Sequence, residues 1–211
     1  KTLKNALAIL KQEKKITDLN SQYYSIIKKP IYDYISNKEL EKIHNTIKAE
    51  YPNIKTIVWD TERINEFTLH YAMTNYIIVE TEKIAIELVV NLLKEKFLKK
   101  YTVVTEEILV KNNVLYINTE RLLVVKGLHT KSPLISNQKI SIEKIMVDLY
   151  KDELYVHFQG KELKTIYENI FAQYEINMKR LLAYAKYRTN INDFIEFIYQ
   201  LDIPRKYKLK G

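Results

Sequence analysis

The sequence predicts an α+β (mixed α/β) fold, in which a sheet with covering helices is followed by a helical C-terminal third. Three observations predict it. Short runs rich in β-branched and aromatic residues at 54–59 (IKTIVW), 76–80 (YIIVE) and 121–126 (RLLVVK) have the length and composition of buried strands. Between and around them lie segments whose apolar residues recur three and four apart, the period of a helix face. From residue 141 onward that period dominates: Ile142, Ile145, Met146 and Leu149 form one stripe, and Leu163, Ile166, Tyr167, Ile170, Phe171 and Tyr174 form another.

In chain order, Leu3, Leu7 and Leu10 give a helix over 2–13, which Lys14 and Lys15 end. Residues 16–20 lead into a strand at 22–27 (QYYSII). A short amphipathic helix, a basic turn and a strand have the order of the second half of a winged helix, the recognition helix and then the wing. After Pro30, residues 31–35 read as another strand. Ser36 and Glu39 form a capping-box pattern that opens a helix with Leu40, Ile43, Ile47 and Tyr51 inward, stopped by Pro52. Asp60 caps a short helix over 61–67. A long helix over 82–97 is expected to turn Ile84, Leu88, Val89 and Leu92 inward. Residues 101–104 read as a strand, 106–111 as a helical turn, 114–118 as a strand, and 127–139 as a loop. Ser141 caps the helix over 142–150, and 154–158 reads as a short strand. Helices follow over 162–174, over 178–188 behind the cap Asn177, and from Asn190 or Asn192 to Leu201. The expected organisation is a winged-helix remnant over 1–29, an α/β domain with a helical end over 30–203, and a basic frayed tail over 204–211.

Composition narrows function. With 211 residues and 46% hydrophobic content the chain holds one sizeable core. The absence of cysteine excludes disulfides and thiolate metal sites and fits a reducing cytoplasm. No apolar run approaches the ~20 residues of a membrane helix, and the Lys-rich start has no signal-peptide pattern. Because Lys1 opens inside a helical pattern, the chain reads as the C-terminal part of a longer protein. Net charge is +8, with +5 in residues 1–29 and +5 in 179–211, so the middle is slightly acidic. Basic ends on a near-neutral body suggest a polyanion, most simply nucleic acid. With only Gly127, Gly160 and Gly211, a phosphate-cradling glycine loop is excluded.

Candidate chemistry is sparse. Asp60 and Glu80 lie at the ends of two expected neighbouring strands, with Glu82 and Lys83 beside them, which raises a metal-dependent nuclease or nucleotidyltransferase-fold reading. The acid-x-Lys alternation that would project both side chains from one strand face is missing, so caps and solvated charges are the expected roles. His44, His70, His129 and His157 show no zinc-ligand spacing, and no metal or other cofactor is expected. Trp59 reads as a core aromatic. Lys179, Arg180, Lys186 and Arg188 alternate with core residues along one helix, as a phosphate-contacting strip or a solvated face. Asp148 is expected to pair with a base of the following helices, Arg180 by position.

The segments QYYSI, IVWDTERINEFTLH, YIIVETEKIAIELV, VKGLHTKSPL, SIEKIMVDLY and YEINMKRLLAYAKYR together resemble the AbiEi-type antitoxins of type IV toxin–antitoxin systems, over most of the chain. The resemblance implies a bacterial, cytoplasmic, winged-helix transcriptional regulator of abortive infection, not an enzyme. Such a protein represses its own operon by binding operator DNA and counteracts a nucleotidyltransferase-type toxin without requiring stable contact with it. It assigns DNA contact to Thr2, Lys4, Asn5, Lys11, Lys14 and Lys15, and more weakly to Arg180, Lys186 and Arg188.

Overall fold

The computed structural model describes residues 2–13, 15–18, 24–26, 29–70, 75–111, 121–135, 139–203 and 207. Helix α1 (Leu3–Gln12) leads into an antiparallel ribbon of β1 (Ile16–Asp18) and β2 (Tyr24–Ile26), in which Ile16 pairs with Ile26. The body is a four-stranded mixed sheet in the order β3 (Thr56–Asp60), β4 (Tyr76–Thr81), β6 (Leu122–Gly127), β5 (Thr102–Thr105). The β3–β4 pair is antiparallel, whereas β4–β6 and β5–β6 are parallel, as the alternation of strands and helices predicts.

The pleat sorts the core into two layers. Val79, Leu123 and Val125 meet α2 (Lys38–Glu50) and α3 (Ile86–Phe97) on one face. Ile57, Trp59, Ile78, Leu122 and Val124 meet the C-terminal helices on the other. Those are α5 (Ile142–Lys151), α6 (Lys161–Gln173), α7 (Met178–Arg188) and α8 (Ile191–Tyr199). The short helix α4 (Glu106–Lys111) follows β5 directly, and the 127–139 segment expected as a loop carries a small ribbon, β7 (Leu134–Ile135) with β8 (Lys139–Ile140).

Several local expectations are corrected. Residues 31–35 form no strand: Tyr32 and Tyr34 point inward while Ile31 and Ile35 are exposed. The tyrosines anchor this segment individually, Tyr32 edge-on to Tyr174 at 5.1 Å and Tyr34 accepting the Asp60 amide at 3.0 Å. Helix α2 is capped by Asn37, not Ser36, since the Asn37 Oδ1 accepts the Glu39 and Leu40 amides at 3.0 and 2.9 Å. The stretch after β4 begins as a 3₁₀ turn, Lys83–Ala85, before α3. That tighter turn shifts the helical phase, so Val89, Val90, Leu92, Leu93 and Phe97 face inward while Ile84 and Leu88 do not. Residues Glu153–Phe158 form a 3₁₀ helix rather than a strand, because Leu154, Tyr155 and Phe158 are buried at helical spacing. The strand expected at 114–118 lies outside the described residues. So does most of the tail, although Tyr207 is buried, its ring 5.0 Å from that of Phe171.

Candidate functional site

Two basic surfaces and one buried charge network carry the residues of interest. In α1, Lys4, Asn5 and Lys11 are exposed, and no residue of the helix is buried. Thr2 occupies the N-cap position with extended backbone but makes no side-chain cap bond. Lys15 pairs with Glu13 at 2.5 Å, and Lys14 lies outside the described residues. Helix α1 therefore presents Lys4 and Lys11 to solvent.

Helix α7 is two-faced. Asn177 caps it by accepting the Arg180 amide at 3.0 Å. Lys179, Arg180 and Lys186 point outward, whereas Leu181, Tyr184 and Ala185 are buried. Arg188 turns inward: its side chain is only 10% exposed, and its guanidinium contacts Asp152 and, at 3.4 Å, Asp148. The expected Asp148–Arg180 pair is thus replaced by Asp148–Arg188, while Arg180 meets Glu143 at 3.5 Å. The reason is geometric. Helices α5 and α7 run side by side in the same direction, so Glu143 meets the start of α7 and Asp148, five residues on, meets its end.

Behind α7 lies the network. Glu80 stands two residues beyond Ile78 on β4, and Lys126 two beyond Val124 on β6, so both project from the face that packs on α5. Lys144 of α5 reaches Glu80 at 2.6 Å and Asp148 at 2.5 Å, with all three side chains buried. The Trp59 indole N–H donates to Glu80 at 2.9 Å, and the Tyr184 hydroxyl donates to Asp148 at 2.8 Å. Lys126 bridges Asp152 at 2.6 Å and Glu106 at 2.9 Å and sits 5.3 Å from the Tyr155 ring centre. Burial alone would lower the Lys144 pKa, but Asp148 and Glu80 outweigh it and raise that pKa above the ordinary value. Burial likewise works against ionisation of Asp148, and Lys144, Lys126 and Arg188 overcome it, holding Asp148 below the usual carboxylate range. Three cations face four carboxylates, and each has a partner. Such a network fixes α5 and α7 to the sheet.

Asp60 and Glu80 are not brought together. In the β3–β4 register Asp60 pairs with Ile77 and Glu80 with Ile57, three positions apart along the strands. Asp60 is a cap, as expected: it accepts the Arg63 amide at 3.3 Å. Glu80 is neither a cap nor a solvated charge, being fully buried. Asp60 borders two adjoining cavities, of about 170 and 420 Å³, that share Asn37, Asp60 and Glu62. Burial raises the Asp60 pKa. Among the described residues no group of three or more His, Asp or Glu side chains is arranged to hold a metal ion. No helix among them is long and apolar enough to cross a membrane.

Reasoning from sequence singled out Asp148 but missed Lys126, Lys144, Glu143 and Asp152. The signal was there: Lys144 stands four residues before Asp148 inside an apolar stripe, and Lys126 follows the four apolar residues 122–125 of a strand.

Residues 2–203 match the model of a family of unknown function, DUF6577. The chain belongs to that family. No curated protein and no solved structure matches it. The DUF6577 match runs from α1 through α8, so both basic surfaces and the network fall inside the family region.

Proposed function

We propose that this chain is a cytoplasmic DNA-binding transcriptional regulator and antitoxin of a type IV toxin–antitoxin system, which represses its own operon and counteracts a nucleotidyltransferase-type toxin. The observation that carries the reading is the α1–ribbon unit, a helix with Lys4, Asn5 and Lys11 toward solvent followed by a two-stranded wing-like ribbon. Charge distribution adds support. Among the described residues four acids (Asp60, Glu80, Glu143, Asp148) and two bases (Lys126, Lys144) are buried; taking their −2 out of the chain's +8 leaves +10 on all the other residues. A polyanion is the natural partner of that balance.

In this reading the α1 cations meet phosphates, Asn5 lies where a recognition helix meets base edges, and the outward bases of α7 make supporting backbone contacts. The test is binding of the full chain to a duplex carrying its own promoter, against a scrambled duplex, across a salt series. Specific binding with a steep log–log salt slope is expected, weakened by Lys11→Ala with Lys14→Ala. Equal affinity for the scrambled duplex, or no response to the double substitution, would remove the reading. The toxin arm is tested by co-expression with the nucleotidyltransferase of the same operon. Restored growth supports it, and unchanged toxicity speaks against it.

A further inference from the structure

We infer that the outer face of α7, together with Lys131, is a binding site for single-stranded nucleic acid. Lys179, Ala183, Lys186 and Tyr187 fall at i, i+4, i+7 and i+8, so they share one stripe of the helix, and all four are exposed. The helix sequence, MKRLLAYAKYR, contains four bases and no acid. Arg180 flanks the stripe, and the carboxylate it meets, Glu143, is buried beneath it. From a separate segment Lys131 places its ammonium 5.6 Å from the centre of the Tyr187 ring. Lys131 thus sits over an aromatic ring that is itself 65% exposed, on a helix face that also carries Lys179 and Lys186.

That ring identifies the ligand. The neighbouring Tyr184 is buried at 2% exposure, and its hydroxyl bonds Asp148, so the helix does contain a position where a tyrosine packs inward. Tyr187 lies outside that position, with Lys131 over its ring and most of its surface open to solvent. An unpaired base stacks on such a face, whereas a duplex keeps its bases stacked on one another. Lys179 and Lys186 are about 10 Å apart along the helix axis, from ~1.5 Å per residue. That span covers about three phosphates of a stacked strand at ~3.4 Å each. The stripe is held rigid from behind, since Leu181, Tyr184, Ala185 and Arg188 anchor the other side of α7 to the core and the charge network. The site lies apart from α1; it shares the outward bases of α7 with the operator-backbone contacts proposed above and adds the Tyr187 ring, on which only an unpaired base stacks.

The experiment is fluorescence anisotropy of the full chain with labelled oligo-dT, oligo-U and a mixed-sequence duplex, each of about 15 nucleotides, from about 50 mM salt upward. Binding of single strands in preference to the duplex is expected, and the dT and U arms distinguish a DNA from an RNA strand. Tyr187→Ala should weaken it on the order of tenfold, with Tyr187→Phe close to the parent protein. Lys179→Ala with Lys186→Ala should flatten the log–log salt slope by about 1.4, at ~0.7 per phosphate contact on a single strand. All these positions are exposed, so the far-UV spectrum and melting temperature should not move. Lys94→Ala, an exposed lysine on α3, should leave single-strand binding unchanged, which separates this site from general surface charge. Failure to bind single strands at low salt, binding of the duplex alone, indifference to Tyr187→Ala, or an equal loss in Lys94→Ala would overturn the assignment.

Discussion

Helices α1 and α5 are both ten residues long and both amphipathic by sequence, yet one buries nothing and the other buries eight residues. In α1 Leu3 of the apolar stripe is 76% exposed and Leu7 and Leu10 are only partly buried, and Ile9 beside the stripe is 48% exposed. In α5 even Glu143, Lys144 and Asp148 are buried. Apolar spacing identifies a helix and the face it would rather hide. Whether the face is hidden depends on what the rest of the chain brings against it. For α5 the fold brings two strands and α7. Glu80 lies 64 residues before Lys144, Tyr184 lies 36 after Asp148 and Arg188 lies 40 after it, so each buried charge is neutralised across the fold. A charge on α1 needs no such partner, because water provides the solvation.

The largest expected effect comes from breaking the α5 side of this contrast. Lys144→Ala leaves Glu80 and Asp148 buried without their shared cation and should cost about 3–5 kcal/mol. Urea unfolding, with folding checked by near-UV dichroism, measures it. A companion variant, Lys144→Met with Glu80→Gln and Asp148→Asn, should recover much of the loss, because it removes the uncompensated charges together. A loss below about 1 kcal/mol in the single variant would mean that the network is hydrated and α5 is less different from α1 than its burial indicates.

Arg188 and Arg180 sharpen the same contrast within one helix. Arg188→Ala removes a nearly buried guanidinium from Asp148 and Asp152 and should cost about 2–4 kcal/mol by urea unfolding. Arg180 is 44% exposed, so Arg180→Ala should cost at most about 1 kcal/mol. Equal costs would undo the two-faced description of α7.

A smaller effect tests a buried group with no counter-charge. His157 lies between Tyr76 and Phe158, and neither ring nitrogen has a hydrogen-bond partner. Burial lowers its pKa to about 4. As pH falls below the ordinary value of 6.5, the unfolded chain takes up the proton first. Stability from this residue is therefore full above about 6.5 and is lost as the pH falls toward 4. The difference corresponds to roughly 2 kcal/mol after allowance for its partial exposure. His157→Phe should flatten the pH dependence of the unfolding midpoint across that window, gaining more at pH near 5 than near 8. An unchanged profile would place the ring in water.

Much of the body was legible because it obeys local rules. Strands β3, β4 and β6 are short β-branched runs, and Asp60, Ser141, Asn177 and Asn190 cap as their side chains dictate. What stayed hidden was decided at a distance. The phase of α3 depends on a 3₁₀ turn, and Tyr32 and Tyr34 are buried by rings that meet them only in the folded chain. Pairing of Asp148 with Arg188 rather than Arg180 depends on the relative direction of two helices, which no spacing encodes. The network was half legible: strand parity puts Glu80 and Lys126 on the face of Ile78 and Val124, but their partners come from helices elsewhere in the chain.

The smallest expected effect lies on α1, and it bears most directly on the opening contrast. Leu3→Ser and Ile9→Ser alter side chains that already meet solvent, so each should change unfolding free energy by no more than about 0.5 kcal/mol. The same change at a buried α5 position, Ile145→Ser, exchanges a core side chain for a polar one and should cost about 3 kcal/mol or more. The ratio between them measures how completely position in the fold, rather than amphipathic pattern, determines what a helix contributes. A cost above about 1 kcal/mol for Leu3→Ser would show that the α1 stripe is covered in solution, and α1 would then stand beside α5 as a packed helix.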